Sequence, residues 1–216
     1  VSMKCRLGWN SSFQTLEDFA SIADEEGCSH LMVHGRFASQ FYQGESNMEP
    51  IASLSRWMRI PLLANGDIGS PKRAKEVVKQ CACQGVGVGR AALSNPFVLS
   101  FIRLVFEGSS VSRACVQASQ SLDVKLDFAR RLLNETAKRV NRRGRGAAAH
   151  VRLRSHLMFL LNGFQGASRV RRNVLACKSD QDLDGYLASL QSFSRADDGE
   201  VPGSFFDIFR IVDDSK

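Results

Sequence analysis

Residues 62–74, LLANGDIGSPKRA, decide how this sequence folds. An apolar run ends abruptly at the turn 65–67, Asn-Gly-Asp, and Ser70 with Pro71 then opens a basic stretch. Serine suits the N-cap of a helix, and proline suits the first helical position. The stretch therefore predicts a buried strand, a polar turn and a helix. Capping does not explain why the turn itself is Asn-Gly-Asp.

The first hundred residues repeat this pattern four times. Each time, a short apolar run ends in polar or glycine residues, and a segment with helical spacing follows. The strand ends lie 30, 31 and 24 residues apart, at Lys4, His34, Asn65 and Gly89. These intervals are close to the length of a βα repeat, about 30 residues. Such repeats build a parallel sheet buried on both faces, either open and doubly wound or closed into a barrel.

After residue 100 the spacing becomes purely helical. Apolar residues recur at helical intervals, at Leu126, Ala129, Leu133, Ala137 and Val140. Further helical segments follow a glycine-rich break, RRGRGAAA. We therefore predict an α/β domain over residues 1–106, an all-α helical bundle over 107–192 and a tail over 193–216.

The composition is that of a globular protein. Of the 216 residues, 44% are hydrophobic and 24% are charged, which excludes a disordered chain. No apolar run approaches the roughly 20 residues that span a bilayer, and the N-terminus carries no secretory pattern. We expect a cytoplasmic protein with no membrane partner. The six cysteines do not have the spacing of metal ligands, so no metal site is predicted.

The net charge of +7 is concentrated in one segment. Residues 125–178 carry 14 Lys and Arg against 2 Asp and Glu, whereas residues 179–216 carry 3 against 9. A basic segment of this density is typical of a polyanion-binding surface, and nucleic acid is the commonest such partner. The alternative is a solvated helical surface that the acidic C-terminal segment neutralises.

The polar strand ends predict a ligand site. Parallel strands gather ligands at their carboxyl ends, where the turn 65–67, Gly89 and Arg90 offer backbone N–H groups and a guanidinium to an anion. The two turns together fit a phosphorylated cofactor or substrate. Lys4 and His34 end the other two strands and converge on the same edge. The alternative is that the glycines serve only turn geometry and that both side chains lie on the rim.

The helical segment contributes two further sets of residues. Its candidate phosphate contacts on RNA or DNA are Arg142, Arg143, Arg145, Arg152, Arg154, Arg169, Arg171 and Arg172. Its candidate core residues are Phe128, Leu132, Leu157, Phe159 and Phe164. No base-reading motif accompanies the arginines.

Four motifs carry a family resemblance. KCRLGW, VHGRFASQFYQG, IPLLANGDIGSP and VGVGRAALSNPF, in this order and spacing, resemble the second half of the catalytic barrel of tRNA-dihydrouridine synthases, most closely the bacterial B-type branch. The motifs cover residues 1–100. The basic helices, up to about residue 190, look like that family's tRNA-binding domain.

The resemblance implies a fold and an activity. The fold is a partial TIM (β/α)8 barrel, its last four βα units, followed by the helical bundle. The activity is reduction of uridine to dihydrouridine in tRNA with FMN and NADPH. The residues that it assigns to the cofactor are Lys4, His34, Asn65, Gly66, Asp67, Gly89 and Arg90, with Lys4 at the flavin ring and His34 near both flavin and substrate. It also implies that Arg36 and Tyr42 face the RNA.

The family's proton donor does not have a match. It is a cysteine in an Asn-x-Gly-Cys-Pro loop, and this sequence contains no such loop. We therefore expect this chain alone to bind FMN weakly and to lack reductase activity, with the N-terminal half of the barrel as its missing partner. Two alternatives stay open. One is an FMN- or phosphate-binding barrel oxidoreductase acting on a small metabolite, and the other is a non-catalytic RNA-binding protein.

Overall fold

A computed structural model describes residues 1–143 and 148–197. The strands are β1 (Met3–Arg6), β2 (Gly8–Asn10), β3 (Phe13–Gln14), β4 (Leu31–His34), β5 (Leu62–Asn65) and β6 (Gly85–Gly87). The helices are α1 (Leu16–Glu25), α2 (Glu49–Leu54), α3 (Pro71–Cys81), α4 (Arg90–Ser94), α5 (Val98–Phe106), α6 (Arg113–Ala118), α7 (Leu122–Arg143), α8 (Ala149–Leu160), α9 (Ala167–Ala176) and α10 (Asp180–Asp197). A 3₁₀ turn spans Ala38–Gln40.

Two compact units make up this chain. The first contains Val1–Ala92 and Val98–Glu107, and the second contains Leu93–Phe97 and the chain from Gly108 onward. The predicted domain boundaries stay predictions. Arg145 and most of the predicted tail lie outside the described residues, and so does the side chain of Arg143.

The first unit is built on a parallel sheet with the strand order β1-β4-β5-β6, which confirms the predicted parallel arrangement. Its register places Arg6, His34, Asn65 and Gly87 level with one another across the four strands. Successive residues of a strand point to opposite faces, so residues that are level across parallel strands share a face. The carboxyl ends of the strands therefore meet at one edge.

The two faces of the sheet differ in burial. One face is apolar and fully buried, with Leu31, Val33, Leu62 and Ala64 in a core shared with side chains of α1, α2, α3 and α5. The opposite face carries Lys4 and other side chains that are mostly exposed or half-buried. The described chain thus covers one face more fully than the other, whereas burial on both faces was predicted.

The strand-turn-helix prediction at residues 62–74 is confirmed. Ser70 caps α3, because its side-chain oxygen accepts the N–H of Arg73 at 3.2 Å, and Pro71 is the first helical residue. Sequence reasoning missed the antiparallel hairpin β2–β3 that follows β1. Gly8 permits this hairpin, since its φ is +141° and a Cβ there would lie 2.4 Å from the Phe13 carbonyl oxygen.

The second unit is helical where the structure describes it. Leu126, Ala129 and Leu133 on α7 are buried, as their spacing predicted. Arg130 on α7 makes a two-pronged ion pair with Asp184 on α10, with N–O distances of 2.8 and 3.1 Å. The assignment of Phe159 to the core is wrong, because its side chain is 49% exposed on α8. None of the described helices is long and apolar enough to cross a membrane.

Candidate functional site at the carboxyl edge of the sheet

The carboxyl edge of the sheet forms a cleft of about 540 Å³, a volume within the usual range for ligand pockets. All seven residues predicted to bind a cofactor line it, namely Lys4, His34, Asn65, Gly66, Asp67, Gly89 and Arg90. Arg6 also lines the cleft, although sequence reasoning did not select it. Its position two residues after Lys4 on a strand was the available signal, because such residues share a face.

The Asn-Gly-Asp turn is specified by contacts to other strands and loops. Asn65 donates from Nδ2 to the carbonyl oxygen of Gly87 at 2.7 Å, which fastens β5 to β6. Gly66 has a φ of +128°, and a Cβ there would lie 2.3 Å from Ser46 Oγ. Asp67 also has a positive φ, +51°. Glycine is required at position 66 because the turn is both left-handed and closely packed.

Arg36 is the most completely engaged side chain near the cleft, being only 2% exposed. A guanidinium has five N–H donors, and five acceptors surround this one. The acceptors are the carbonyl oxygens of Gln43 (3.3 Å) and Gly44 (2.5 Å), His34 Nε2 (3.4 Å), Ser46 Oγ (3.0 Å) and Asp67 Oδ2 (2.6 Å). Arg36 therefore fixes the loop after β4 against the Asn-Gly-Asp turn.

The expectation that Arg36 faces RNA stays a prediction, and the structure shows a buried guanidinium at this position. A buried cation must be paired and hydrogen-bonded, and the carboxylate of Asp67 with the nearby loop oxygens meets that requirement. None of the five guanidinium N–H groups remains available to a phosphate in this structure. In this structure the guanidinium of Arg36 therefore holds the loop after β4 against Asp67.

Asp67 joins two arginines of different exposure. Its Oδ2 accepts from Arg36 and from both the backbone N–H and the hydroxyl of Ser46, while Oδ1 accepts from Arg90 at 3.2 Å. Burial by itself would raise the pKa of Asp67, but the hydrogen bonds from Ser46 and Arg36 hold the pKa below its ordinary value. Asp67 is therefore a carboxylate at neutral pH, and Arg90 is anchored at the mouth of the cleft.

His34 is a neutral imidazole at neutral pH. Burial lowers the pKa of His34 to about 4, and three neighbouring cations act in the same direction. Those cations are Arg6, Lys4 and Arg36. Because a guanidinium only donates, its contact with Nε2 makes that nitrogen the acceptor and leaves the proton on Nδ1. The ring therefore offers an N–H donor from Nδ1.

Tyr42 stands at the mouth of the cleft between two arginines. The guanidinium carbon of Arg90 lies 4.5 Å from the centre of the Tyr42 ring, and that of Arg6 lies 5.9 Å away. Both separations permit cation–π attraction. Arg6 also donates to the carbonyl oxygens of Phe37 and Phe41, at 2.8 and 3.1 Å. The ring is thus held in place while most of its surface stays exposed.

No cysteine lines the cleft among the described residues. Cys5 lies between Lys4 and Arg6 on β1, so its side chain points to the opposite face of the sheet. Burial raises the pKa of the Cys5 thiol to about 11. A half-buried thiol on the face opposite Lys4 and Arg6 does not replace a proton-donating cysteine in the cleft.

The predicted RNA-contacting arginines of the second unit fall into two groups. The exposed ones are Arg142, Arg152, Arg169 and Arg172. Arg154 is half-buried and donates to the carbonyl oxygen of Cys177 at 3.1 Å. Arg171 donates to the side-chain oxygen of Asn162 at 2.8 Å. Arg154 and Arg171 therefore have structural partners, and their RNA contacts stay predictions.

Comparison with known proteins adds a family. Residues 1–196 match the family model described as dihydrouridine synthase. A probable tRNA-dihydrouridine synthase of Mycobacterium tuberculosis is 30% identical over 210 residues, which cover 94% of this chain and 48% of that protein. A probable tRNA-dihydrouridine synthase of Rickettsia bellii is 37% identical over 102 residues, which cover 47% of this chain and 31% of that protein.

A third relative is the tRNA-dihydrouridine synthase B of Pseudomonas aeruginosa. It is 37% identical over 98 residues, which cover 45% of this chain and 30% of that protein. The chain therefore spans between about a third and a half of the length of these relatives.

Proposed function

This chain belongs to the dihydrouridine synthase family, and from that membership we propose that it takes part in reducing uridine to dihydrouridine in tRNA, with FMN as cofactor and NADPH as reductant. The observation that carries the proposal is the convergence of seven residues, selected from four separate motifs, on one cleft. We place this activity in the cytoplasm.

The residues of the cleft fit a flavin mononucleotide. The cleft is lined by three cations, Lys4, Arg6 and Arg90, which complement a phosphate and the electron-rich edge of a flavin ring. A Cβ at Gly89 would meet no atom within 4 Å, so the backbone there is open to close approach by a ligand. A Cβ at Gly87 would instead lie 2.7 Å from the sulfur of Met32, so the floor of the cleft is already closely packed.

Each side chain has a defined task in this proposal. Arg90, anchored by Asp67, binds the phosphate together with the backbone N–H groups around Gly89. Lys4 donates a hydrogen bond to the flavin ring, and neutral His34 donates a hydrogen bond from Nδ1–H to an acceptor on flavin or substrate. When bound, FMN supplies the hydride transfer between NADPH and the C5–C6 bond of uridine.

We also propose that the sheet is part of a TIM barrel. Four parallel strands with their helices on one face match half of such a barrel, and the chain matches only part of its relatives. The half-buried face would then be the barrel interior, completed by strands other than the four parallel ones that the structure describes. Because no described cysteine reaches the cleft, this 216-residue chain alone should not form dihydrouridine.

Flavin titration tests the cofactor site. Quenching of FMN fluorescence by the purified chain should report binding, and Arg90→Met should weaken it by about tenfold or more through loss of a charge-assisted contact. Arg56→Met is the matched control, since Arg56 is exposed and follows α2, away from the cleft. Equal affinity in the two variants, or no quenching by the unaltered chain, would contradict the assignment.

A tRNA assay tests the reaction. The chain with FMN, NADPH and unmodified tRNA should yield no dihydrouridine, and dihydrouridine formed under these conditions would refute the proposed inactivity. Flavin binding without salt-dependent tRNA binding would favour an oxidoreductase for a small metabolite. Tight tRNA binding without flavin binding would favour a non-catalytic RNA-binding protein.

A further inference from the structure

Four large aromatic side chains are exposed near the carboxyl edge of the sheet. They are Trp9, Phe13, Phe41 and Tyr42, which are between 58% and 71% exposed and which we call the aromatic rim. Aromatic side chains carry large apolar surfaces that normally become buried on folding. Grouped exposed apolar side chains of this kind are typical of a binding surface.

The rim comes from two segments that the structure holds side by side. Trp9 and Phe13 lie on the hairpin β2–β3, which packs beside the 3₁₀ turn that precedes Phe41 and Tyr42. Arg6 connects the segments, because it immediately precedes the hairpin in sequence and donates to the Phe41 carbonyl oxygen. The two segments are therefore neighbours, and Tyr42 also lines the cleft.

Phe41 adopts a backbone conformation that aromatic residues rarely take. Its φ is +51° and its ψ is −99°, a left-handed geometry that costs free energy for any residue with a Cβ. Hydrogen bonds from Arg6 to its carbonyl oxygen and from its own N–H to the Ala38 carbonyl oxygen hold it there. Burial of the ring does not compensate for the strain, since the ring is exposed. Observed strain of this kind points to a functional requirement.

Cations lie against one ring of the rim, Tyr42, and in the cleft beside it. Arg6 and Arg90 lie against Tyr42, and a second cleft of about 620 Å³ continues from Tyr42 with Arg73 and Arg90 in its walls. Two carboxylates also line that cleft, those of Asp67, which is paired with two arginines, and of the exposed Glu45. Exposed aromatic rings beside a positively charged groove are the combination with which proteins stack the bases of a single strand and bind its phosphates.

We propose that the aromatic rim stacks unpaired RNA bases next to the nucleotide that enters the cleft, with Arg73 of the second cleft binding a phosphate between them. The proposal rests on the proposed function in taking RNA as the substrate. It adds that the substrate must present single-stranded nucleotides at this edge of the sheet. A protein partner would need the apolar rings but not the arginines beside Tyr42.

The two tryptophans of the chain allow a direct test. Trp9 belongs to the rim, whereas Trp57 precedes β5 and therefore lies towards the opposite edge of the sheet. Trp57→Phe leaves Trp9 as the only tryptophan, and Trp9→Phe leaves Trp57. Titration with single-stranded octauridylate should quench Trp9 emission in the first variant and leave Trp57 emission unchanged in the second.

Affinity measurements with the same oligonucleotide test the other rings. Phe13→Ala should weaken binding about tenfold, in line with the loss of one base-stacking contact, and Phe19→Ala on α1 is the exposed control that should not. Phe41→Gly removes the ring and relieves the left-handed strain, so it should keep the fold while weakening binding. Blunt duplex RNA, whose bases are already stacked, should not quench Trp9.

The outcomes separate this inference from the proposed function. If the chain binds both flavin and octauridylate but Trp9 emission does not change, the proposed base stacking on the aromatic rim is wrong and the proposed cofactor site stands. Quenching of Trp9 without flavin binding would support the rim and overturn the cofactor site. A shift of Trp9 emission with protein concentration alone would identify the rim as an interface with a second copy, and would also overturn the proposal.

Discussion

Arg36 and Arg90 both pair with the carboxylate of Asp67, but Arg36 is buried and Arg90 is exposed. Replacing each of them should therefore have a very different effect on the free energy of unfolding. Arg36 is 2% exposed, whereas the Arg90 side chain is 53% exposed. Removing one partner of a buried ion pair costs about 3–5 kcal/mol because it strands the other charge, and an exposed pair contributes only about 0–1 kcal/mol. Since Asp67 keeps some solvent contact, we expect Arg36→Met to lower the free energy of unfolding by about 3 kcal/mol.

Urea unfolding followed by tryptophan fluorescence measures this difference. Both tryptophans lie in the first unit, so their emission reports that unit alone. With a urea dependence of about 1.5 kcal/mol per M, Arg36→Met should lower the midpoint by about 2 M. Arg90→Met should shift it by less than about 0.7 M. Arg36→Lys keeps the charge but loses donors, so its midpoint should lie between those of Arg36→Met and the unaltered chain.

The pH dependence provides a second check on the same pair. Hydrogen bonding lowers the pKa of Asp67 in the folded state. The ionised carboxylate therefore stabilises the folded state above the ordinary carboxyl pKa of about 3.9, and this stabilisation is lost as the pH falls through the lower folded-state pKa. The difference in urea midpoint between the unaltered chain and Arg36→Met should therefore become smaller below about pH 4. Equal midpoint shifts for the Met variants of Arg36 and Arg90 at pH 7 would refute the reasoning.

Three further predictions concern the turn, the imidazole and the helical unit. Gly66→Ala should abolish flavin binding and lower the urea midpoint. Adding Ser46→Gly should restore part of the midpoint, because it removes the clash of the new Cβ with Ser46 Oγ at 2.3 Å but leaves the strain of the positive φ. The NMR signals of His34 should stay constant from pH 8 to about 5 and move near pH 4. In the unaltered chain, the free energy of unfolding should decrease as the pH falls from about 6.5 to 4, and His34→Gln should abolish the part of that decrease that His34 causes. Asp184→Asn should destabilise the helices by about 1 kcal/mol through loss of the Arg130 pair, seen by circular dichroism without a change in the tryptophan transition.

Local chemistry made the architecture and the position of the site predictable. Ser70 and Pro71 set the start of α3 through contacts within one helical turn, and the repeat of apolar runs identified the strands of the parallel sheet. The register of parallel strands then brought their ends to one edge, so the residues of one cleft could be selected from separate motifs. Such features depend on a few neighbouring residues or on a fixed repeat.

Only the tertiary structure decided which side chains line the cleft and which are buried behind it. Arg36 follows a polar strand end, as a ligand contact would, yet it is buried because a carboxylate 31 residues away and the carbonyl oxygens of its own loop surround it. The exposure of Phe159 and the grouping of Trp9 with Phe41 likewise depend on how separate segments pack. Sequence by itself determined the elements and the edge where their ends meet, because both follow from short-range periodicity and capping. The partners of each cation and ring depend on contacts between segments that are distant in the sequence. Local sequence patterns do not predict such contacts, because the free energy of each contact depends on how the segments pack.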